Sequence, residues 1–130
     1  MSRKSIVVDG FNHGPQPIPA ASRVGNLLMT GGVHGLDPTT GKIPDDVVEQ
    51  ARLTFLQLGR ILEAGQASFD DIVRMTFYVK TPEARAAINS EWSAAFPDPA
   101  SRPARHTLVY EHLAPNVLLQ CDAMAVIGRV

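Results

Sequence analysis

Residues 72–80 and 117–127 read as strands with two largely apolar rows, and this constrains the fold more than any other feature. Successive side chains of a strand point to opposite faces. In the first stretch Val73, Met75, Phe77 and Val79 form one row, and Ile72, Arg74, Thr76 and Tyr78 the other. In the second, Val117, Leu119, Cys121, Ala123 and Ala125 oppose Leu118, Gln120, Asp122, Met124 and Val126. Such strands need cover on both faces of their sheet. Amphipathic helices can supply one layer, and the other must come from elsewhere.

Two segments have the pattern of those helices. In residues 45–64, Val48, Ala51, Phe55, Leu58 and Leu62 recur at the spacing of a buried stripe. Pro44 suits a first turn, Asp45, Asp46 and Glu49 suit the positive end of the helix dipole, and Gly65 is placed to stop the helix. Thr81-Pro82-Glu83 then opens a helix running to about Ala95, with Ala84, Ile88, Trp92 and Ala95 buried and Asn89 beside them. Shorter strands are expected at 5–8, 22–24, 27–30 and 105–110, the second and third joined by a Gly25-Asn26 turn. Pro15, Pro17 and Pro19 exclude helix from residues 9–21, and residues 34–42 read as an exposed loop. The order predicts one α+β two-layer domain over residues 1–130, a mixed sheet with both helices on one face. The rows containing Val73, Met75 and Phe77, and Leu119, Cys121 and Ala123, are then expected on the uncovered face. A homo-oligomer with its sheets turned to a shared interior would bury them.

The charge balance narrows the function classes. Twelve Lys and Arg face thirteen Asp and Glu, and the pI is about 6.4. No basic block advertises a nucleic-acid or membrane-surface partner. Cys121 stands alone, so no internal disulfide can form, and His13, His34, His106 and His112 show no metal-ligand spacing. The first residues lack a signal-peptide apolar region and no run is long enough to cross a bilayer, so a cytoplasmic protein without metal or cofactor is expected.

One stretch carries chemistry. Pro103 fixes the entry to a strand that begins at Arg105, and alternation puts Arg105, Thr107 and Val109 on one face and His106 on the other. A guanidinium beside a hydroxyl at a strand start is a plausible receptor for a carboxylate or phosphate.

Several segments in order then complete a pattern: Gly25-Asn26-Leu27-Leu28-Met29-Thr30-Gly31-Gly32, Asp37-Pro38-Thr39-Thr40-Gly41, Gln50-Ala51-Arg52, Phe69-Asp70-Asp71-Ile72-Val73, Phe77-Tyr78-Val79-Lys80, Pro103-Ala104-Arg105 and Cys121-Asp122-Ala123-Met124-Ala125-Val126. Together they resemble the RidA/YjgF family of reactive-intermediate deaminases over nearly the whole chain. The resemblance implies a chorismate-mutase-like fold assembled as a homotrimer with clefts between subunits. It implies cofactor-free hydrolysis of small carboxylate-bearing enamines or imines, such as 2-iminopropionate, to 2-oxo acids and ammonia. Arg105 matches the arginine that holds the substrate carboxylate, and Asn89 matches an asparagine of the second helix.

Other pocket positions depart from the family. Ile18 stands for a tyrosine, Val33 for a glutamine after the strand-end Gly32, Thr107 for a cysteine, and Gln120 for a glutamate that orients or activates water. The expected catalytic set is therefore Arg105, Thr107 and Gln120, with Gly32, Val33, Ile18 and Asn89 contacting substrate. An amide at position 120 cannot take a proton near neutral pH. Three outcomes stay open: a deaminase of altered range, a deaminase of a larger molecule such as 2-aminomuconate, and a trimer that holds a small carboxylate without turnover.

Overall fold

The computed structural model describes residues 2–128. In chain order it contains β1 (Lys4–Ile6), β2 (Ala21–Val24), β3 (Leu27–Thr30), β4 (Val33–His34), α1 (Val47–Ala64), a 3-10 turn (Phe69–Asp71), β5 (Ile72–Val79), α2 (Ala84–Ala95), β6 (Ala104–Val109) and β7 (Leu119–Val126). The strands form one mixed sheet in the order β1-β2-β3-β7-β5-β6, with β4 also pairing with β7. Only β5 and β6 run parallel, because α2 carries the chain back between them. Both helices pack on one face, as expected of an α+β fold.

The local signals act through identifiable contacts. Gly25, at φ 57, makes the tight turn between β2 and β3. The Asp46 carboxylate accepts a hydrogen bond from the Glu49 amide and caps α1, so Pro44 precedes the helix instead of opening it. At the other end Gln66, at φ 65, takes the left-handed position. The Ala67 amide bonds the Leu62 carbonyl and the Gln66 amide that of Glu63. Gly65 is small for a different reason: a Cβ there would collide with Leu28 and Ile6 of the core.

The core lies between helices and sheet, and Leu28, Leu58, Ile61, Leu62, Met75, Phe77, Ile88 and Leu119 are fully buried there. This corrects the expectation for the apolar rows. Met75, Phe77, Leu119, Cys121 and Ala123 face the helices, not the open side. Within β5 the register shifts between Ile72 and Arg74. That irregularity turns Ile72 into the core and leaves Val73 51% exposed. Val48, expected in the buried stripe of α1, is 59% exposed.

Two glutamines take buried places in that stripe. Gln50 donates to the Pro44 and Asn116 carbonyls and accepts from the Leu118 amide. Gln57 donates to the carbonyls of Gly10 and Leu36 and accepts from Arg60. They tie α1 to the turn before β7 and to the proline-rich segment, satisfying backbone groups that no strand reaches.

Residues 34–36 are not the start of an exposed loop. His34 belongs to β4, and Gly35 and Leu36 are buried beneath α1. A Cβ on Gly35 would lie 2.6 Å from the Gln50 carbonyl oxygen and 3.0 Å from its Cα. Both are helix backbone and cannot swing away. Gly35→Ala is expected to cost about 1–3 kcal/mol of stability, read from the urea midpoint. An unchanged midpoint would contradict the close approach.

Candidate functional site

The half-buried Arg105 lies on β6, at one end of the sheet, opposite Met75 in the register and so on the helix face. Its guanidinium carbon sits 5.1 Å from the centroids of both the Phe77 and Trp92 rings. Two aromatic faces thus hold a cation at the margin of the core. Its Nε donates to Thr107 Oγ1 at 2.8 Å. The two terminal nitrogens make no hydrogen bond or ion pair among the described residues.

A second cation stands close by. Arg85, in the first turn of α2, donates to the Thr107 carbonyl at 3.2 Å. Burial holds the Arg105 guanidinium below its ordinary value, and Arg85 adds to the effect. A guanidinium still keeps its proton under such pressure. Neither cation is paired with a carboxylate among the described residues, an arrangement with the chemistry to accept an anion. The Thr107 oxygen accepts from Arg105, so its hydroxyl proton remains available to donate. Asn89 lies one turn beyond Arg85 on α2, exposed.

A separate cleft of about 420 Å³ lies between the proline-rich segment, β4 and the turn leading to β7. Ile18, 55% exposed, and Gln120 line it with His13, His34, Leu36 and Pro115. Gln120 faces the side of the sheet away from the helices, paired with His34 on one side and Tyr78 on the other. A Cβ on Gly32 would come within 3.1 Å of Gln120 Nε2, so the glycine leaves room for that amide. His13 Nε2 donates to the Gly32 carbonyl at 2.7 Å, while its Nδ1 is buried without a hydrogen-bond partner. The rings of Phe11, His13 and His34 pack at centroid distances of 5.0–5.9 Å.

The expected site residues therefore fall into two groups within one chain. Arg105 and Thr107 form the first, with Asn89 and Arg85 nearby on α2. Gln120, Ile18 and Gly32 form the second, on the other side of the sheet. Val33 joins neither through its side chain, which is fully buried opposite Cys121. Cys121 is also fully buried, and burial pushes its thiol far above the ordinary value, unlike a nucleophile. His106 faces away from Arg105 and contacts Arg74.

Sequence reasoning missed Arg85, His13 and His34. The irregularity at Gly31-Gly32 hid His34. Met29 pairs with Met124 but Val33 with Cys121, so the chain gains one residue against β7 and then resumes pairing. Burial, then the neighbouring His13, holds the His34 imidazole down at about 4. The unfolded chain takes up this proton near 6.5, the folded chain only near 4. The neutral ring's contribution to stability is complete above the upper value and is lost as pH falls toward the lower one. An NMR titration is expected to show the His34 ring still neutral at pH 5.5. A midpoint at the ordinary histidine value would contradict this burial.

Comparison with known proteins places the chain. A family model described as Endoribonuclease L-PSP matches residues 16–127. A 2-iminobutanoate/2-iminopropanoate deaminase of Escherichia coli K12 is 34% identical over 124 residues, covering 95% of this chain and 97% of the relative. A RutC family protein of Haemophilus influenzae is 34% identical over 112 residues, covering 85% and 86%. Among solved structures, the E. coli YjgF gene product superposes with a TM-score of 0.86 at 29% identity, over 96% of this chain and 99% of that one. E. coli TdcF with bound serine gives 0.86 at 28%, over 96% and 99%. A match over most of the chain, relatives covered nearly end to end and a shared two-layer architecture lead to one conclusion: the chain belongs to the RidA/YjgF family.

Proposed function

We propose that the chain is a cofactor-free deaminase that hydrolyses a small carboxylate-bearing imine or enamine to a 2-oxo acid and ammonia. The observation that carries this reading is the unneutralised guanidinium of Arg105, with two terminal nitrogens unpaired among the described residues beside a second cation. Since Nε is already engaged by Thr107, a carboxylate would dock end-on against the two terminal nitrogens. An E. coli relative is named for 2-imino acids and another was solved with serine, molecules that all carry a carboxylate.

The separation of the two groups favours chemistry between subunits. Arg105 and Thr107 sit on a strand at the end of the sheet, and Gln120 and Ile18 open on the opposite side. That side also leaves Leu27, Met29, Leu108 and Tyr110 between 40% and 48% exposed. A chorismate-mutase-like homotrimer would bury such apolar surface and bring one subunit's Arg105 to its neighbour's cleft. Cytoplasmic residence belongs to the same proposal.

Holding the carboxylate fixes the adjacent C=N carbon, and a protonated imine is already electrophilic, so positioning a water supplies much of the catalysis. Thr107 and Gln120 can each hydrogen-bond that water. Ile18 in the cleft favours a substrate with a longer carbon chain than 2-iminopropionate, 2-aminomuconate being an example. Gln120 favours a second reading, a carboxylate-binding trimer without turnover, because an amide accepts no proton.

With 2-iminopropionate generated in situ, the wild type is expected to speed imine loss and Arg105→Ala to abolish the effect. Wild-type and uncatalysed rates that coincide, here and with longer imino acids, would leave the binding reading standing. Gln120→Glu measures what the missing acid costs: a raised kcat would show that an acid helps there, and an unchanged or lower value that none is needed. Sedimentation at micromolar concentration is expected to give a trimer, and a stable monomer would remove the inter-subunit cleft.

A further inference from the structure

We propose that His34 is the proton acceptor of the cleft, taking the role for which Gln120 lacks the chemistry; the inference rests on the deaminase reading. His34 and Gln120 are direct partners in the β4–β7 ladder. Paired residues on neighbouring strands project to the same face with Cβ atoms roughly 5 Å apart. Both line the same cleft, with Ile18 at its rim. A water bound by the Gln120 amide would therefore lie within reach of the His34 ring.

The ring is also left unengaged. Among the described residues His34 makes no side-chain hydrogen bond, although its neighbour His13 is anchored to the Gly32 carbonyl. Phe11 and His13 hold it by ring packing alone, with centroids 5.0 and 5.9 Å away. A histidine kept for structure ordinarily spends a ring nitrogen on a backbone carbonyl, as His13 does. Among the described residues no third ligating side chain joins the two imidazoles, so the pair does not make a metal site.

The environment tunes this imidazole to a carboxylate's task. Its proton affinity, held down at about 4, is close to that of an ordinary glutamate, about 4.3. Of the described residues against it, the Phe11 ring, the His13 ring and its strand partner Gln120, His13 alone carries an ionisable group. An acceptor of glutamate-like basicity is thus present, but neutral instead of anionic.

The step balances with this group alone. Water adds through oxygen to the carbon of the protonated imine, and the C=N π pair moves to nitrogen. The water proton passes to His34, giving a neutral carbinolamine and an imidazolium. The imidazolium returns its proton to the amine nitrogen, and the C–N bond breaks as C=O forms. The hydroxyl proton leaves with the ammonia, so protonated imine and water become 2-oxo acid and ammonium, with His34 neutral again.

The test compares His34→Gln with His34→Glu on 2-iminopropionate, with folding checked by circular dichroism and assays run below both melting temperatures. The two side chains are nearly isosteric, so a packing role would affect them alike. We expect His34→Gln to lower kcat roughly 100-fold, the scale of a lost general base, with KM little changed, and His34→Glu to recover most of the loss. A Gln variant as fast as wild type, or a Glu variant no faster than the Gln variant, would overturn the assignment while leaving the deaminase reading intact. A wild type that does not speed hydrolysis at all would sink that reading and this inference together.

Discussion

The register of β7 against its three neighbours decides where every candidate side chain points. β3, β4 and β5 all pair with this strand. Its alternation sends Leu119, Cys121, Ala123 and Ala125 into the core and Gln120, Asp122 and Met124 to the open face. A slip of one residue would exchange these sets and place Gln120 under α1. The same alternation is passed through β5 to β6, where it sets Arg105 and Thr107 on the helix face. The division of the site into two groups therefore follows from one ladder.

Much of this was legible in the chain. Gly25-Asn26 could hardly be anything but a tight turn, and the three-four spacing in α1 and α2 marked both helices. The choice of buried row was not legible, because β5 and β7 each carry two rows apolar enough for a core. Only packing against Leu58, Ile61 and Ile88 settles it, together with an irregularity near Arg74 that periodicity does not announce. Gln50 and Gln57 look like polar interruptions until the carbonyls they bond are seen. Arg105 was found from its strand and its resemblance, whereas its aromatic bracket needed Trp92 brought from α2.

The two halves differ in electrostatic character. Arg85 and Arg105 concentrate positive charge at one end of the sheet, while Gln120 and His34 keep the other cleft neutral. An acid at position 120 would add a negative charge where, on the proposed function, an anionic substrate would approach. Replacing it with an amide beside an uncharged imidazole removes that repulsion, and Ile18 removes polarity from the rim. On the proposed deaminase reading, such a cleft would suit a molecule with more negative charge or more carbon than the smallest imino acids.

The end strand has a further consequence. Among the described residues β6 has a strand partner on one side only, and an unpaired strand edge is a template on which another chain can add by backbone pairing. Here α2 lends Arg85 to the Thr107 carbonyl, and a bulky cation stands where an incoming strand would need an amide. The charge that prepares this end of the sheet for an anion also keeps it from being extended by a stranger's backbone. Protection of the edge and the proposed recognition of a small molecule would then rest on the same few atoms.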